Sequence, residues 1–253
     1  MKVRIQGMLA TAAGAALFAS AGIALADGMP GGGGYRPALW SGVYVGGESG
    51  WEWERGRGDY APAGTSSNFH RDGVTVGLFL GYQHQFGNLV VGVEGDFIGN
   101  EFDTRDSQGR APIGGNGSCP NPAFNCTNRI TNLITIGPRV GWSFGNWLPY
   151  ATGGFATGST NFRAIPASGV TSDQADMRHD GWYVGGGLDW KLARNVVVGL
   201  EYRHTDLGHA SAADFNPATG LPTGVIVTTR QESDSVMVRG SLLFGGRDYA
   251  PLK

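Results

Sequence analysis

Charged side chains are scarce in this 253-residue chain. Asp, Glu, Lys and Arg make up 16% of it, against roughly 25% in average soluble domains. The formal net charge is only −2, so the chain lacks the basic excess that binding to nucleic acid or to an acidic membrane surface requires. Long apolar runs are also missing beyond the N-terminal segment, and the remaining sequence therefore predicts no membrane-spanning helix.

Motifs of catalytic and nucleotide-binding sites are missing as well. The sequence contains no P-loop, no G-x-S-x-G and no H-E-x-x-H. The glycines of GWYVGGGLDW (181–190) lack the spacing of a dinucleotide-binding loop. We therefore expect a protein that is not an enzyme and holds no cofactor.

Cysteine is limited to Cys119 and Cys126, close together in the polar stretch SCPNPAFNCT. In an exported protein this spacing predicts a local disulfide, which stabilises by roughly 2–3 kcal/mol in the chain-entropy model. A metal site is disfavoured because no second pair of ligands lies nearby.

The first residues carry the pattern of a secretory signal peptide. Lys2 and Arg4 precede an apolar run that ends in Ala24-Leu25-Ala26, which predicts cleavage between Ala26 and Asp27. An uncleaved anchor helix is the alternative. Residues 27–39 are rich in Gly and Pro and are expected to form a flexible linker.

Glycine and aromatic residues are abundant, and they follow a period of two. In LVVGVEGDF (89–97), alternation puts Leu89, Val91, Val93, Gly95 and Phe97 on one face and Gly92, Glu94 and Asp96 on the other. The same two-faced pattern predicts eight strands, within 43–53, 74–86, 89–97, 130–144, 148–159, 182–192, 196–205 and 235–244.

Connections between these strands alternate in length. Phe86-Gly87-Asn88, Phe144-Gly145-Asn146 and Ala193-Arg194-Asn195 are typical of tight hairpin turns. Polar segments at roughly 54–73, 99–129, 160–180 and 206–232 are expected to be four long loops. The mid-strand Pro138 is expected to lie in a bulge opposite Gly153-Gly154.

This arrangement predicts an all-β fold, an eight-stranded antiparallel up-and-down transmembrane barrel over residues 40–244 with a short tail at 245–253. Its apolar face would contact lipid and its polar face would line the lumen, since the strands have the length that crosses a membrane. A water-soluble lipocalin-like cup is the alternative. Aromatic side chains expected in interfacial girdles are Trp51, Trp53, Tyr82, Phe86, Trp142, Phe144, Tyr150, Trp182, Trp190 and Tyr202.

Ionisable residues on the lumen face are expected to pair, because a buried charge is tolerated only with a partner. Similar heights above the short turns predict the neighbouring-strand pairs Glu94–Arg139 and Glu201–Arg239. We interpret the set as an internal salt-bridge plug, with an ion pathway as the alternative. Its members are Glu48, Glu94, Asp96, Arg139, Asp189, Lys191, Glu201, Arg203 and Arg239.

The stretches WSGVYVGGESG, VVGVEGDF, NWLPYATGGFA and GLEYRHTDLG occur in this order. In this set the chain resembles the alphaproteobacterial family of small outer-membrane β-barrel surface proteins, the porin-like major surface antigens. The resemblance implies export through the periplasm to the cell outer membrane of a Gram-negative bacterium, with short periplasmic turns and long exposed loops.

The expected role is a structural surface protein with a largely plugged lumen. A porin for ions or small solutes is the alternative, and a weaker one is binding of haem or another ligand by His70, His179, His204 and His209. Expected partners are outer-membrane lipid, lipopolysaccharide and the barrel assembly machinery, but no nucleic acid. A homo-oligomer is the alternative to a monomer.

Overall fold

Eight stretches of alternating side chains form eight β-strands in the computed structural model, which describes residues 39–61, 65–99, 124–166, 173–216 and 218–245. The strands are β1 Gly42–Ala61, β2 Thr65–Phe86, β3 Leu89–Gly99, β4 Phe124–Trp142, β5 Trp147–Pro166, β6 Asp173–Lys191, β7 Val196–Phe215 and β8 Pro222–Phe244.

Each strand pairs antiparallel with its neighbour in sequence, and β1 also pairs with β8, so the sheet closes into a barrel. Closure satisfies both edges of the sheet, which is what a strand surrounded by hydrocarbon requires. This confirms the predicted fold class. Within the described ranges, no helix has the length and hydropathy needed to cross a bilayer.

Three short turns lie at one end of the barrel, which we call the turn end. Gly87 and Gly145 adopt φ angles of 63° and 69° there, the left-handed conformation that glycine accepts without steric cost. Trp40 and Phe244 lie at the same end, because β1 starts and β8 finishes there. The opposite end is called the extension end below.

The prediction of four long loops is wrong for three of them. β1 continues to Ala61 and β2 begins at Thr65, and the segments 160–180 and 206–232 are likewise mostly strand. These extensions carry few apolar residues on their outer face, so the two-faced alternation could not reveal them, but their backbones continue the ladders. In the fourth segment, residues 100–123 lie outside the described part of the chain.

The two faces of each strand point as the alternation predicts. In β3, Val93 and Phe97 are 48% and 52% exposed on the outer wall, whereas Glu94 and Asp96 are only 1% and 3% exposed inside the barrel. The outer wall therefore carries the apolar band that lipid covers.

The girdle prediction is wrong for Tyr150. This ring is buried in the lumen, because Tyr150 is an odd number of positions from the outward-facing Trp147. Trp147 itself stacks on Trp190 of the next strand, with ring centroids 5.4 Å apart.

Pro138 does not lie in a bulge. The register of β4 against β5 is the same on both sides of it, and the irregularity falls between Ile130 and Asn132. Pro138 instead interrupts the ladder opposite Gly153, on the outer wall. The backbones approach closely here, since a Cβ on Gly137 would come within 2.2 Å of the Gly153 carbonyl oxygen.

Two predicted features lie outside what the structure describes. Residues 1–38, which include Ala26 and Asp27, are not among the described residues. The predicted disulfide is not tested either, because Cys119 lies outside them and only the backbone of Cys126 is described.

Candidate functional site in the barrel lumen

Charged side chains from six strands meet in the middle of the lumen. Three arginines point inward from β4, β7 and β8, and carboxylates reach them from β1, β3, β6 and β7. We call this group the ionic layer. It consists of Glu48, Glu94, Asp96, Arg139, Asp189, Glu201, Arg203 and Arg239.

Arg239 is the centre of the ionic layer. Its Nε lies 3.1 Å from a carboxylate oxygen of Glu48, and one terminal nitrogen lies 2.9 Å from Glu94 and 3.6 Å from Asp96. The other terminal nitrogen is paired with Glu201. One guanidinium thus links acids from three different strands.

The other two arginines extend the layer to both sides. Arg203 donates to Glu201 at 2.6 Å and to Asp96 at 3.0 Å. Arg139 donates to Glu94 at 3.3 Å and is also paired with Asp189. The predicted neighbouring-strand pairs Glu94–Arg139 and Glu201–Arg239 are therefore both present.

Aromatic rings cover the guanidinium planes. Arg139 lies 3.6 Å from the centroid of Tyr150, and Arg239 lies 3.9 Å from that of Phe79. The Tyr150 hydroxyl also donates to Glu201 at 2.7 Å. Such stacking supplies a favourable cation–π contact where water is excluded.

Glycines on the lumen face leave the space these rings occupy. A Cβ on Gly46 would lie 2.3 Å from the Phe79 ring, and one on Gly187 would lie 2.6 Å from the Tyr150 ring. The high glycine content thus has a packing role next to the ionic layer.

Apolar side chains pack together inside the barrel below the ionic layer, at the turn end. Val90, Leu148 and Val197, each the second residue of its strand, point inward together. Trp40 covers them from below, fully buried, and its indole donates to the Gly145 carbonyl oxygen at 2.9 Å. This lower apolar layer comprises Trp40, Tyr44, Phe79, Val90, Leu148, Val197 and Leu243.

A second group of apolar side chains lies above the ionic layer, towards the extension end. Its members come from five strands and are all less than one-tenth exposed. This upper apolar layer comprises Ile98, Ile130, Leu133, Ala156, Tyr183 and Leu207. The ionic layer therefore lies between two apolar layers.

Lys191 does not join the ionic layer, contrary to the prediction. Its ammonium lies near the turn end, 5.1 Å from the centroid of the Trp40 ring, and donates to the Leu39 carbonyl oxygen. Alternation correctly points Lys191 inward, but its position as the last residue of β6 puts it below the acids.

Sequence reasoning missed one lumen residue and misplaced another. Phe79 and Tyr150 face inward, although Phe79 lies an even number of positions from the inward Thr75, Gly77 and Gly81 and could have been assigned to their face. Alternation correctly puts Tyr44 and Thr135 on the inner face, where Thr135 donates to Asp96 at 2.6 Å. The expectation that large aromatic side chains face lipid concealed the other two.

The histidines do not converge on one site. His179 is fully buried inside the barrel, with Nε2 3.0 Å from the Thr229 hydroxyl. His204 lies on the outer wall, where Nδ1 is 2.9 Å from Asp234, and His209 is exposed. No cluster of metal-ligating side chains was found among the residues the structure describes.

An antiparallel barrel with an apolar outer wall and a charged interior defines a transmembrane barrel of the outer-membrane type. The family model for the outer membrane protein beta-barrel domain matches residues 10–225, and the chain belongs to this family. It is accordingly a protein of the cell outer membrane.

Named relatives come from alphaproteobacteria. The 22 kDa outer membrane protein of Rhizobium leguminosarum is 31% identical over 173 residues, covering 68% of this chain and 66% of the relative. The 25 kDa outer-membrane immunogenic protein of Brucella abortus is 29% identical over 171 residues, 67% of each chain. The matched region thus spans about two thirds of these relatives.

Solved structures with a similar fold include Neisserial surface protein A, at 13% identity and a TM-score of 0.39, covering 81% of this chain and 98% of that one. OprG from Pseudomonas aeruginosa has 11% identity and a TM-score of 0.42, covering 81% and 96%.

Proposed function

We propose that the protein is a structural surface protein of the outer membrane whose lumen is plugged. The observation that carries this proposal is the ionic layer enclosed between the lower and upper apolar layers. Its ion pairs form tight cross-links between strands, and Arg239 alone joins Glu48, Glu94 and Glu201.

An open pore for solutes is disfavoured by the dimensions and by the contacts. An eight-stranded barrel is just wide enough for side chains to fill. Here the side chain of Arg203 is 1% exposed and that of Glu94 is fully buried. An ion would have to displace paired charges and also cross two apolar layers.

The extension end is proposed to face outside the cell and the turn end the periplasm. Three connections at the extension end join strands that continue well beyond the apolar band, as β1 and β2 do with exposed Arg55 and Arg57. Relatives of the chain are named immunogenic outer-membrane proteins. We infer that these ladders form the surface presented to the environment, with lipopolysaccharide around them.

Single-channel recording in a planar bilayer tests the plug. Purified monomer should give no steady conductance steps, and its folded state is checked by faster gel migration before boiling than after. Large, steady steps from folded monomer would overturn the proposal in favour of a porin.

A further inference from the structure

The outer wall carries a groove over β6, β7 and β8, with a volume of about 560 Å³. Its floor is the backbone of Gly186, where no side chain stands between Val184 and Leu188. Leu200 and Val238, which are 52% and 64% exposed, also line it.

The groove covers most of the depth of one leaflet of the membrane. It begins beside the stacked rings of Trp147 and Trp190 near the turn end and reaches Tyr202. From Val198, the register partner of Trp190, to Tyr202 is four residues along β7, about 13 Å at the rise of a strand and about 10 Å along the barrel axis at the usual tilt of such strands. Half of the roughly 25 Å apolar band of such barrels is slightly longer than this.

A basic residue lies in the turn next to the lower end of the groove. Arg194 belongs to the turn that joins β6 to β7, and it is the only Lys or Arg in the three short turns, at 87–88, 143–146 and 192–195. A cation at this level complements the phosphate of a lipid whose acyl chain lies in the apolar groove above.

We propose that this groove binds one acyl chain of a glycerophospholipid whose phosphate contacts Arg194. The choice of glycerophospholipid over lipopolysaccharide rests on the proposed orientation, which puts the turn end in the periplasmic leaflet. The binding site itself does not depend on whether the lumen conducts.

Native mass spectrometry of the full folded chain in mild detergent, incubated with phosphatidylethanolamine, tests the proposal. The wild type should retain one lipid. Val238→Phe fills the groove and should lower retention about tenfold. Val140→Phe is the matched control, because Val140 is similarly exposed at 47% on β4, away from the groove, and it should retain lipid like the wild type.

Two further comparisons complete the test. Arg194→Gln should weaken retention of phosphatidylethanolamine but not of diacylglycerol, which lacks the phosphate. Leu200→Phe replaces Val238→Phe if the latter fails the gel-shift check for folding. The proposal is overturned if the folded groove variant retains as much lipid as the wild type. It is also overturned if the wild type is a dimer and the groove variant a monomer, because the groove would then be a protein interface. Preferred retention of lipopolysaccharide overturns the choice of lipid and the orientation together, whereas conductance bears only on the plug.

Discussion

At the scale of single residues, each arginine of the ionic layer is held by more than one carboxylate. Burying an unpaired guanidinium or carboxylate is costly, and mutual attraction repays the loss of hydration only when the remaining donors and acceptors are also satisfied. Arg239 supplies the paired charge, with ion-pair contacts to Glu48, Glu94 and Glu201, and one of its terminal nitrogens also donates to the Tyr150 hydroxyl at 3.0 Å. The ionic layer therefore depends on this residue more than on any single acid.

We expect Arg239→Ala to destabilise the barrel strongly, because it leaves buried carboxylates without a cation. Removing one partner of a buried pair costs about 3–5 kcal/mol. Urea titration of the folded protein in lipid vesicles measures the change in the free energy of unfolding.

Arg57→Ala is the control for Arg239→Ala. Arg57 pairs with Asp59 at 3.2 Å, but its side chain is 61% exposed, and exposed pairs contribute about 0–1 kcal/mol. A similar decrease in the free energy of unfolding in both variants would show that the buried ion pairs of the ionic layer stabilise the barrel no more than an exposed pair does.

The burial of His179 makes the stability of the folded protein depend on pH. His179 lies beyond Trp182 on β6, between the exposed Arg178 and Asp180, and thus outside the apolar band. Burial lowers the pKa of its imidazole, so the folded protein favours the neutral form. An unfolded histidine binds its proton near pH 6.5, and the unfolded state then holds more protons than the folded one.

Stability of the extension end should therefore fall as the pH falls through about 6.5, and continue to fall down to the lowered pKa of the folded state. Hydrogen exchange of the amides at 177–181, expressed as protection factors, measures this local opening. His179→Gln removes the titration and should flatten the dependence. The same pH profile in both proteins would assign the effect to another group.

At the scale of the strands, close approach of two backbones explains particular glycines. Gly137 and Gly154 face each other beside the interruption at Pro138, and a Cβ on Gly137 would lie 2.2 Å from a backbone oxygen. No flexible side chain is available to move aside there.

We expect Gly137→Ala to lower the yield of folded barrel and its resistance to urea, because β4 and β5 must separate to admit the methyl group. Overpacking of this kind typically costs about 1–3 kcal/mol. Gly95→Ala is the matched control on the neighbouring β3, where the new Cβ meets a backbone oxygen at 3.5 Å. Equal stability of the two variants, measured by urea titration and gel shift, would contradict the close approach.

Alternation identified the strands that cross the membrane, because a bilayer outside and a charged lumen inside impose opposite chemistry on successive residues. It correctly separated Val93 and Phe97 from Glu94 and Asp96. It could not predict the strand extensions, where the outer face is mostly polar, nor the inward Tyr150, where β5 is rich in Gly and Thr. Lys191 shows the remaining limit, since parity gives the face of a residue but not its height in the lumen.

At the scale of the whole molecule, the proposed plug consists of three layers in succession. Trp40 and the second residues of β3, β5 and β7 lie at the turn end, the ionic layer lies in the centre, and the upper apolar layer lies at the level of Leu133 and Leu207. In this proposal each layer excludes solutes by a different means, the apolar ones by leaving no polar path and the ionic one by filled space and paired charge.

Loss of a single layer should therefore leave the barrel closed. Trp40→Ala removes the fully buried side chain that covers the turn end and should destabilise the protein by about 3–5 kcal/mol. In planar bilayers the folded variant should nevertheless remain as silent as the wild type, because the ionic and upper apolar layers are intact. Steady conductance from folded Trp40→Ala would instead identify Trp40 as the sole gate and the layers above it as permeable.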